Sequence, residues 1–276
     1  MNGPQPPTEY GVYGLPRPPT IGGSAMVGGV HLATRSFGTG TFGRLVATGM
    51  LMASLGAGAV TLTYLVLWLL GRLTGIPLVE FRLQIVAPGQ LPYAVLWQIL
   101  SNLLDFAFFL LLVRLTPLAG YHAAEHKVVH AIERYGYATP ELARAMPRSH
   151  RRCGTTLLAG ILPALLIASP LLYVRPEVAV LVVLLGWLVR YRVGDVIQRY
   201  LTTKEPTERQ LAAGLQAGRD ILDRWRRDPL ARVSPMMSFW RRGLVQLLVG
   251  MVVAMQLYNW VYQHLYLWLD WERWLG

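Results

Sequence analysis

The chain has 276 residues, of which 53% are hydrophobic and only 15% are charged, whereas about 25% of the residues in soluble domains are charged. This composition argues against a soluble domain and indicates an integral membrane protein. The formal net charge of +11 would also suit a nucleic-acid-binding protein. That class is disfavoured because the basic residues cluster beside apolar segments, where membrane proteins carry them.

The N-terminal segment, residues 1–44, is rich in proline and glycine and predicts a mobile part of the chain. Its first 20 residues lack both a charged start and an apolar run, so they predict no signal peptide and an extended tail.

Five apolar segments follow in chain order. They cover residues 45–71, 91–113, 155–174, 177–189 and 243–266. Four of them are long enough to cross a bilayer as helices, whereas the fourth in order is short and predicts either a tilted span or half of a hairpin. The sequence therefore predicts an all-α fold, a polytopic membrane helix bundle with four to five spans.

The arginines predict the orientation of this bundle. If the N-terminus is cytoplasmic, the strongly basic loops 114–153 and 190–242 both lie inside, as the positive-inside rule requires. We therefore predict a multi-pass inner-membrane protein. Residues 45–216 form its membrane domain with the cytoplasmic site loops, and residues 217–276 form an amphipathic basic connector and a last span.

A motif of the form H-x-x-E-H follows the second apolar segment. His122 and His126 lie four residues apart, so on a helix they share one face, with Glu125 beside them. This is the reversed form of the zinc-protease motif, in which two histidines bind the metal and the glutamate is the general base. A solvated polar face of a surface helix would explain the same spacing. His130 continues the stripe, and we leave it outside the predicted site.

A second pair of candidate ligands, His150 and Cys153, precedes the third apolar segment. Imidazole and thiolate both bind zinc, although a lone cysteine is more often a small buried side chain. A helix and a turn between the two pairs would bring them close together. Further along the chain, Glu205 or Glu208 is a candidate carboxylate ligand by analogy with reversed-motif zinc proteases. A helix capped by Thr202 or Thr203, with Glu208 at its positive N-terminal end, would explain the same residues.

Asp105 interrupts the second span. With Gln98, Ser101 and Asn102 it forms a polar stripe at helical spacing. Carboxylates inside a membrane are costly and indicate function by default; a protonated contact between helices is the alternative. We count Asp105 as an additional candidate site residue.

Three blocks of the sequence resemble a bacterial membrane family. The blocks are YHAAEHK (121–127), HRRCGT (150–155) and LTTKEP (201–206), and a glycine-rich block, IGGSAMVGGV (21–30), matches less well. The family is the YqhQ-like group, domain of unknown function 1385. The resemblance implies a metal-dependent enzyme and places signature positions at the residues above and at Thr202, Thr203 and Pro206. Gly28 departs from the pattern because the family carries an acid there, and Arg192 stands where the family tends to carry one.

Two functions are compatible with these features. The first is a zinc-type membrane hydrolase that acts on a membrane-proximal peptide or a lipid-linked group. A divalent ion, zinc by preference, would be bound among His122, His126, His150 and Cys153, and Glu125 would be the general base. The second is a non-catalytic membrane adaptor or scaffold in which the same cluster is a closed structural zinc site and the basic surface binds membrane lipid, nucleic acid or a cytosolic partner. The number of ligands separates the two functions, because four close a tetrahedral site and three leave a position for water.

Overall fold

The computed structural model describes residues 20–82 and 91–269. Within these ranges the chain forms ten helices and one hairpin of two strands. The strands are β1 (Gly22–Met26) and β2 (Gly29–Ala33), and the helices are α1 (Phe42–Thr74), α2 (Leu78–Arg82), α3 (Leu91–Leu115), α4 (Leu118–Tyr135), α5 (Pro140–Ala145), α6 (Gly154–Leu171), α7 (Pro176–Ile197), α8 (Glu208–Arg227), α9 (Pro235–Arg241) and α10 (Leu244–Leu269). A single π-helical turn, Gln198–Thr202, follows α7. The predicted all-α helix bundle is confirmed.

Four of the described helices are long and apolar enough to cross a membrane. They are Phe42–Thr74, Pro92–Leu115, Gly154–Leu171 and Leu244–His264. At most 33% of the residues in each apolar stretch are buried inside the protein, so most of these side chains face outward, as contact with lipid requires. The first and last of these helices pack closely, because a Cβ atom at Gly49 would lie only 2.0 Å from the Leu247 carbonyl oxygen. The chain is therefore a membrane protein.

The short apolar segment forms α7, which packs against α6 as a helical hairpin. Glycines allow the close approach. A Cβ atom at Gly160 would lie 1.9 Å from the Arg190 carbonyl oxygen, and one at Gly194 would lie 2.0 Å from the Thr156 carbonyl oxygen. The opposite face of α7 carries exposed leucines, among them Leu188. The two sequence alternatives for this segment, a tilted span and half of a hairpin, both stay predictions.

The ends of the long helices that surround the candidate site lie together. Arg114, at the end of α3, donates a hydrogen bond to the Thr203 carbonyl beyond α7 (3.0 Å). Thr156, near the start of α6, donates one to the His150 carbonyl (3.1 Å). The β1–β2 hairpin, α4, the π-turn and α8 form a small module at this common end.

The core of this module is formed by α4, α8 and the hairpin. Leu211, Leu215 and Ile221 of α8 pack with Val128 and Ile132 of α4. The first turn of α8 is fixed by a capping box of Thr207 and Gln210. The helix cap therefore lies at Thr207 and not at Thr202 or Thr203.

The hairpin was not predicted by the sequence analysis. β1 and β2 pair antiparallel over five residues each, and every residue of β2 is buried. His31 is held on both ring nitrogens, since its Nδ1 accepts from the Gly40 N–H (2.7 Å) and its Nε2 donates to the Arg241 carbonyl (3.0 Å). The extended tail predicted for residues 1–20 lies almost entirely outside the described residues. The proposed division at residues 44 and 216 stays a prediction.

Asp105 lies in α3 and pairs with Arg82 of α2, with 2.7 Å between Oδ2 and the guanidinium. The guanidinium carbon also lies 4.5 Å from the centre of the Tyr64 ring. The polar stripe of α3 continues with Asn102, whose amide donates to the Leu166 carbonyl (3.1 Å). Asp105 is therefore a contact between helices.

Candidate functional site

The H-x-x-E-H residues lie on α4 and are buried. The exposed fraction is 9% for His122, 4% for Glu125 and 1% for His126. The hairpin, α8 and the loop before α6 cover this helix, so its polar face points into the protein. A solvated surface stripe, the alternative considered for these residues, does not describe α4.

The hydrogen bonds of the two histidines define where their ring protons are. Nδ1 of His122 donates to the Thr202 carbonyl (3.1 Å), and Nδ1 of His126 donates to the Arg148 carbonyl (2.7 Å). A carbonyl oxygen only accepts, so in each neutral ring the lone pair is on Nε2. Histidines that bind metals are commonly oriented by such an Nδ1 bond to a carbonyl. Both residues therefore present an Nε2 atom suited to a metal ion.

Cys153 completes a group of three candidate ligands. Its Sγ atom lies 3.3 Å from Nε2 of His122, and one ligand atom from each of His122, His126 and Cys153 lies within 4.8 Å of the others. Cys153 is the N-cap residue of α6, so the start of a membrane helix fixes its position. The sequence prediction that the two pairs meet is supported for Cys153.

Two atoms of this site are buried without a hydrogen-bond partner among the described residues, Nε2 of His126 and Oε2 of Glu125. Buried polar atoms in native proteins nearly always have partners, so this is a place where a ligand, a cation or water belongs. Burial, together with the neighbouring His122, lowers the pKa of His126 well below its usual value. The ring is therefore neutral, as a ligand must be.

Glu125 has an unusual environment for a carboxyl group. Burial raises its pKa to about 8; His122 opposes this rise and Cys153 adds to it. The hairpin lies against it, because a Cβ atom at Gly23 would be 2.8 Å from Oε1 of Glu125. Only glycine fits at this point, which gives the glycine-rich N-terminal block a role beside the site.

His150 lies outside the group of three. Its ring centre is 5.8 Å from that of His126, and it belongs to a second group with His130 and Glu133. The residue is buried, and the bonds of its ring to Arg152 and Glu133 hold the loop before α6.

The additional candidates lie around the site in different roles. Thr202 orients His122 through its carbonyl, and its hydroxyl oxygen is buried without a partner among the described residues. Thr203 is fully buried and its hydroxyl donates to the Gln198 carbonyl (2.7 Å). The Glu205 carboxylate lies 3.0 Å from the Lys127 ammonium. Asp105 lies ten residues before the end of α3, about 15 Å at 1.5 Å per residue, so the structure does not bring it to the site.

Three residues of the site were missed by the sequence analysis. Lys127 is buried and donates to the carbonyls of Arg144 and Met146 (3.0 Å each). Gln198, in the π-turn, accepts from the His150 N–H (2.8 Å). Glu133 pairs with His150 (3.3 Å). The continuation of the polar stripe along α4 pointed to Glu133, whereas nothing in the sequence pointed to Gln198.

Comparison with known proteins supports the resemblance drawn from the three blocks. A family described as "protein of unknown function (DUF1385)" matches residues 102–193. The chain is 28% identical over 149 residues to the uncharacterized protein YqhQ of Bacillus subtilis (strain 168). This match covers 44% of the chain described here and 45% of that relative. The match therefore spans less than half of the relative's length. No solved structure matches the chain. The YqhQ-like resemblance is confirmed, and it brings no activity with it.

Proposed function

We propose that this protein is a zinc-type metal-dependent membrane enzyme, a hydrolase whose site lies on the cytoplasmic side of the inner membrane. The observation that carries the proposal is the orientation of the two histidines. Carbonyl oxygens accept from both Nδ1 atoms, Nε2 of His122 lies 3.3 Å from Sγ of Cys153, and Nε2 of His126 is buried without a partner among the described residues. One ligand atom from each of the three residues lies within 4.8 Å of the others.

The three residues fit zinc better than a hard cation. Two imidazoles and one thiolate are a nitrogen and sulfur set, whereas magnesium and calcium prefer oxygen ligands. Three protein ligands leave one position open, which is typical of catalytic zinc. Zinc in such a site supplies a Lewis acid that activates water and polarises a carbonyl or phosphoryl oxygen.

The protein supplies proton transfer and positioning. Glu125 follows His122 by three residues, and its Oε2 is buried without a partner among the described residues. Burial alone keeps this carboxyl largely protonated near neutral pH, whereas a cation held by the neighbouring ligands would favour the ionised form. That form would take a proton from water and return it to a leaving group. The Thr202 and Arg148 carbonyls hold the two imidazoles in one tautomer. The hairpin, through Gly23, excludes bulk water from one side of Glu125.

The structural-zinc alternative requires a fourth protein ligand. His150 was the candidate, and both of its ring nitrogens already have partners, Arg152 and Glu133. A three-ligand group favours the enzyme over the closed site of an adaptor or scaffold.

The location of the site limits the substrate. The ligands lie where α6 begins and where α3 and α7 end, so we expect a membrane-proximal peptide or a lipid-linked group as the substrate. The basic residues of loops 114–153 and 190–242 support our proposal that this side faces the cytoplasm, through the positive-inside rule. Membrane lipid surrounds the spans, and we do not propose a nucleic-acid partner.

Metal analysis of the detergent-purified protein tests the proposal. We expect one zinc ion per chain in the wild type, loss of the ion in His126→Ala, and retention in Glu125→Gln. His264→Ala, on an exposed part of α10, is the control for removal of a histidine. A wild-type protein that binds no divalent metal would end the proposal, and so would a Glu125→Gln protein that keeps both its metal and full activity in a deletion strain.

A further inference from the structure

The loop that connects α5 to α6 is held on α4 by its carbonyl groups. Nδ1 of His126 donates to the Arg148 carbonyl (2.7 Å), and Nε2 of His130 donates to the next one, that of Ser149 (2.9 Å). The loop therefore provides two things to the site: the carbonyl that orients His126, and Cys153 at its end.

His150 stands at the centre of this loop. Its main chain is fixed at both ends, since its N–H donates to Oε1 of Gln198 (2.8 Å) and its carbonyl accepts from the Cys153 N–H (3.1 Å). Its ring spans the turn that leads to Cys153, because Nδ1 accepts from the Arg152 N–H (3.2 Å).

The second ring nitrogen of His150 is also committed. Since Nδ1 accepts a hydrogen bond, the proton of the neutral ring is on Nε2, which donates to Oε2 of Glu133 (3.3 Å). The other oxygen of Glu133 binds the Arg152 guanidinium. Both ring nitrogens of His150 and both carboxylate oxygens of Glu133 therefore have hydrogen-bond partners, and Nε2 of His130 donates to the Ser149 carbonyl. The group of His130, Glu133 and His150 forms a hydrogen-bonded clasp.

We propose that His150 is a positioning residue, which ties the Cys153 turn to Glu133 of α4 and so fixes both the Cys153 thiol and the Arg148 carbonyl beside the candidate metal ligands. This inference rests on the proposed metal site. It assigns to His150 a role through other residues, in place of direct metal ligation. Substitution of residues that orient metal ligands typically costs about 10- to 100-fold in metal affinity.

Two substitutions separate the two bonds of the ring. In His150→Asn, the amide oxygen takes the place of Nδ1 and keeps the bond from Arg152. In His150→Gln, the amide nitrogen takes the place of Nε2 and keeps the bond to Glu133. Both lack imidazole, so a residue that ligates metal through its ring would fail equally in both. His150→Ala removes both bonds.

The test uses the full-length protein in detergent with Co²⁺ as the probe. We measure the metal stoichiometry, the Kd for Co²⁺ by chelator competition, and the thiolate-to-cobalt charge-transfer absorption, which reports a Cys153–metal bond. His150→Gln, which keeps the bond to Glu133, is expected to bind one ion with the thiolate absorption and a Kd within about 10-fold of the wild type. His150→Asn, which loses that bond, is expected to bind one ion with a Kd between those of His150→Gln and His150→Ala. His150→Ala is expected to bind about 10- to 100-fold more weakly, with a reduced absorption. Cys153→Ser gives the spectrum without the thiolate.

A second measurement does not depend on metal. After chelator treatment, the rate at which a maleimide labels Cys153 reports how well the turn holds the thiol against His122. The rate should rise at least several-fold in His150→Ala, stay near the wild-type rate in His150→Gln, and lie between these two in His150→Asn.

Each outcome decides the proposal. Loss of the ion in both amide variants, as in His126→Ala, would make His150 a ligand and overturn the inference, and so would a His150→Ala protein with wild-type affinity, spectrum and labelling rate. If the wild type binds no Co²⁺ while the variants show the expected labelling rates, the proposed function is overturned and the positioning role of His150 stands.

Discussion

The Glu125→Gln substitution should stabilise the metal-free protein, and the effect should grow with pH. The ordinary pKa of the carboxyl is 4.5, and burial raises it to about 8 in the folded chain. The unfolded chain therefore loses the proton of Glu125 at lower pH than the folded chain does. As a result, the free energy of unfolding of the wild type falls as the pH rises from about 4.5 through 8. Once the pH is well above 8, the free energy of unfolding has fallen by about 5 kcal/mol, at 1.36 kcal/mol per pKa unit.

Glutamine cannot ionise, so this loss is absent from the variant. Between pH 5 and pH 8 the difference in unfolding free energy between variant and wild type should increase by about 4 kcal/mol in favour of the variant. The assay is urea unfolding of the chelator-treated protein in a mild detergent, at several pH values. Glu177→Gln, at an exposed position on α7, controls for loss of a carboxylate as such. Parallel stability profiles for wild type and Glu125→Gln would refute the claim that this carboxyl is isolated from water and from cations in the folded protein.

Three further substitutions test the packing and the polar contacts. Asp105→Leu removes the carboxylate partner of Arg82 inside the bundle and should lower the unfolding free energy by about 3–5 kcal/mol. Asp105→Asn keeps a hydrogen-bond acceptor and should lower it by less. Thermal unfolding in detergent compares the two variants. Gly194→Ala places a methyl group against the backbone of α6 and should cost about 1–3 kcal/mol, while Gly56→Ala, which meets nothing within 4 Å, should be neutral in the same assay. Lys127→Met removes the ammonium that three acceptors share and should cost about 3 kcal/mol; an unchanged melting temperature would show that these bonds are redundant.

The membrane helices could be predicted from the sequence because their signal is length. An uninterrupted apolar run, such as residues 45–71, has few alternatives to a spanning helix. The hairpin at residues 22–33 could not be predicted, because its strands are short and glycine-rich and show no alternation of polar and apolar residues. β2 is moreover buried along its whole length. Its stability comes from α4 and α8, which lie about 100 and 190 residues further along the chain.

The part of the site that depends on spacing within one helix could be predicted from the sequence. His122 and His126 share a face because helical geometry requires it, and Cys153 joins them. The role of His150 could not be read from the sequence, because it depends on which atom each ring nitrogen meets. The same holds for Glu205, whose partner is the Lys127 ammonium, and for Asp105, whose partner Arg82 comes from another helix.

The contacts of His122 and His150 have a consequence for how the protein is made. The carbonyl that orients His122 belongs to Thr202, 80 residues later, and the amide that holds the His150 N–H belongs to Gln198, 48 residues later. Neither bond can form until α7 has been synthesised and inserted beside α6. During translation the histidines therefore emerge before their orienting partners, and the nascent chain passes through a stage in which their rings on α4 are not yet oriented. Under the proposed function, metal binding then belongs to the completed bundle rather than to the growing chain.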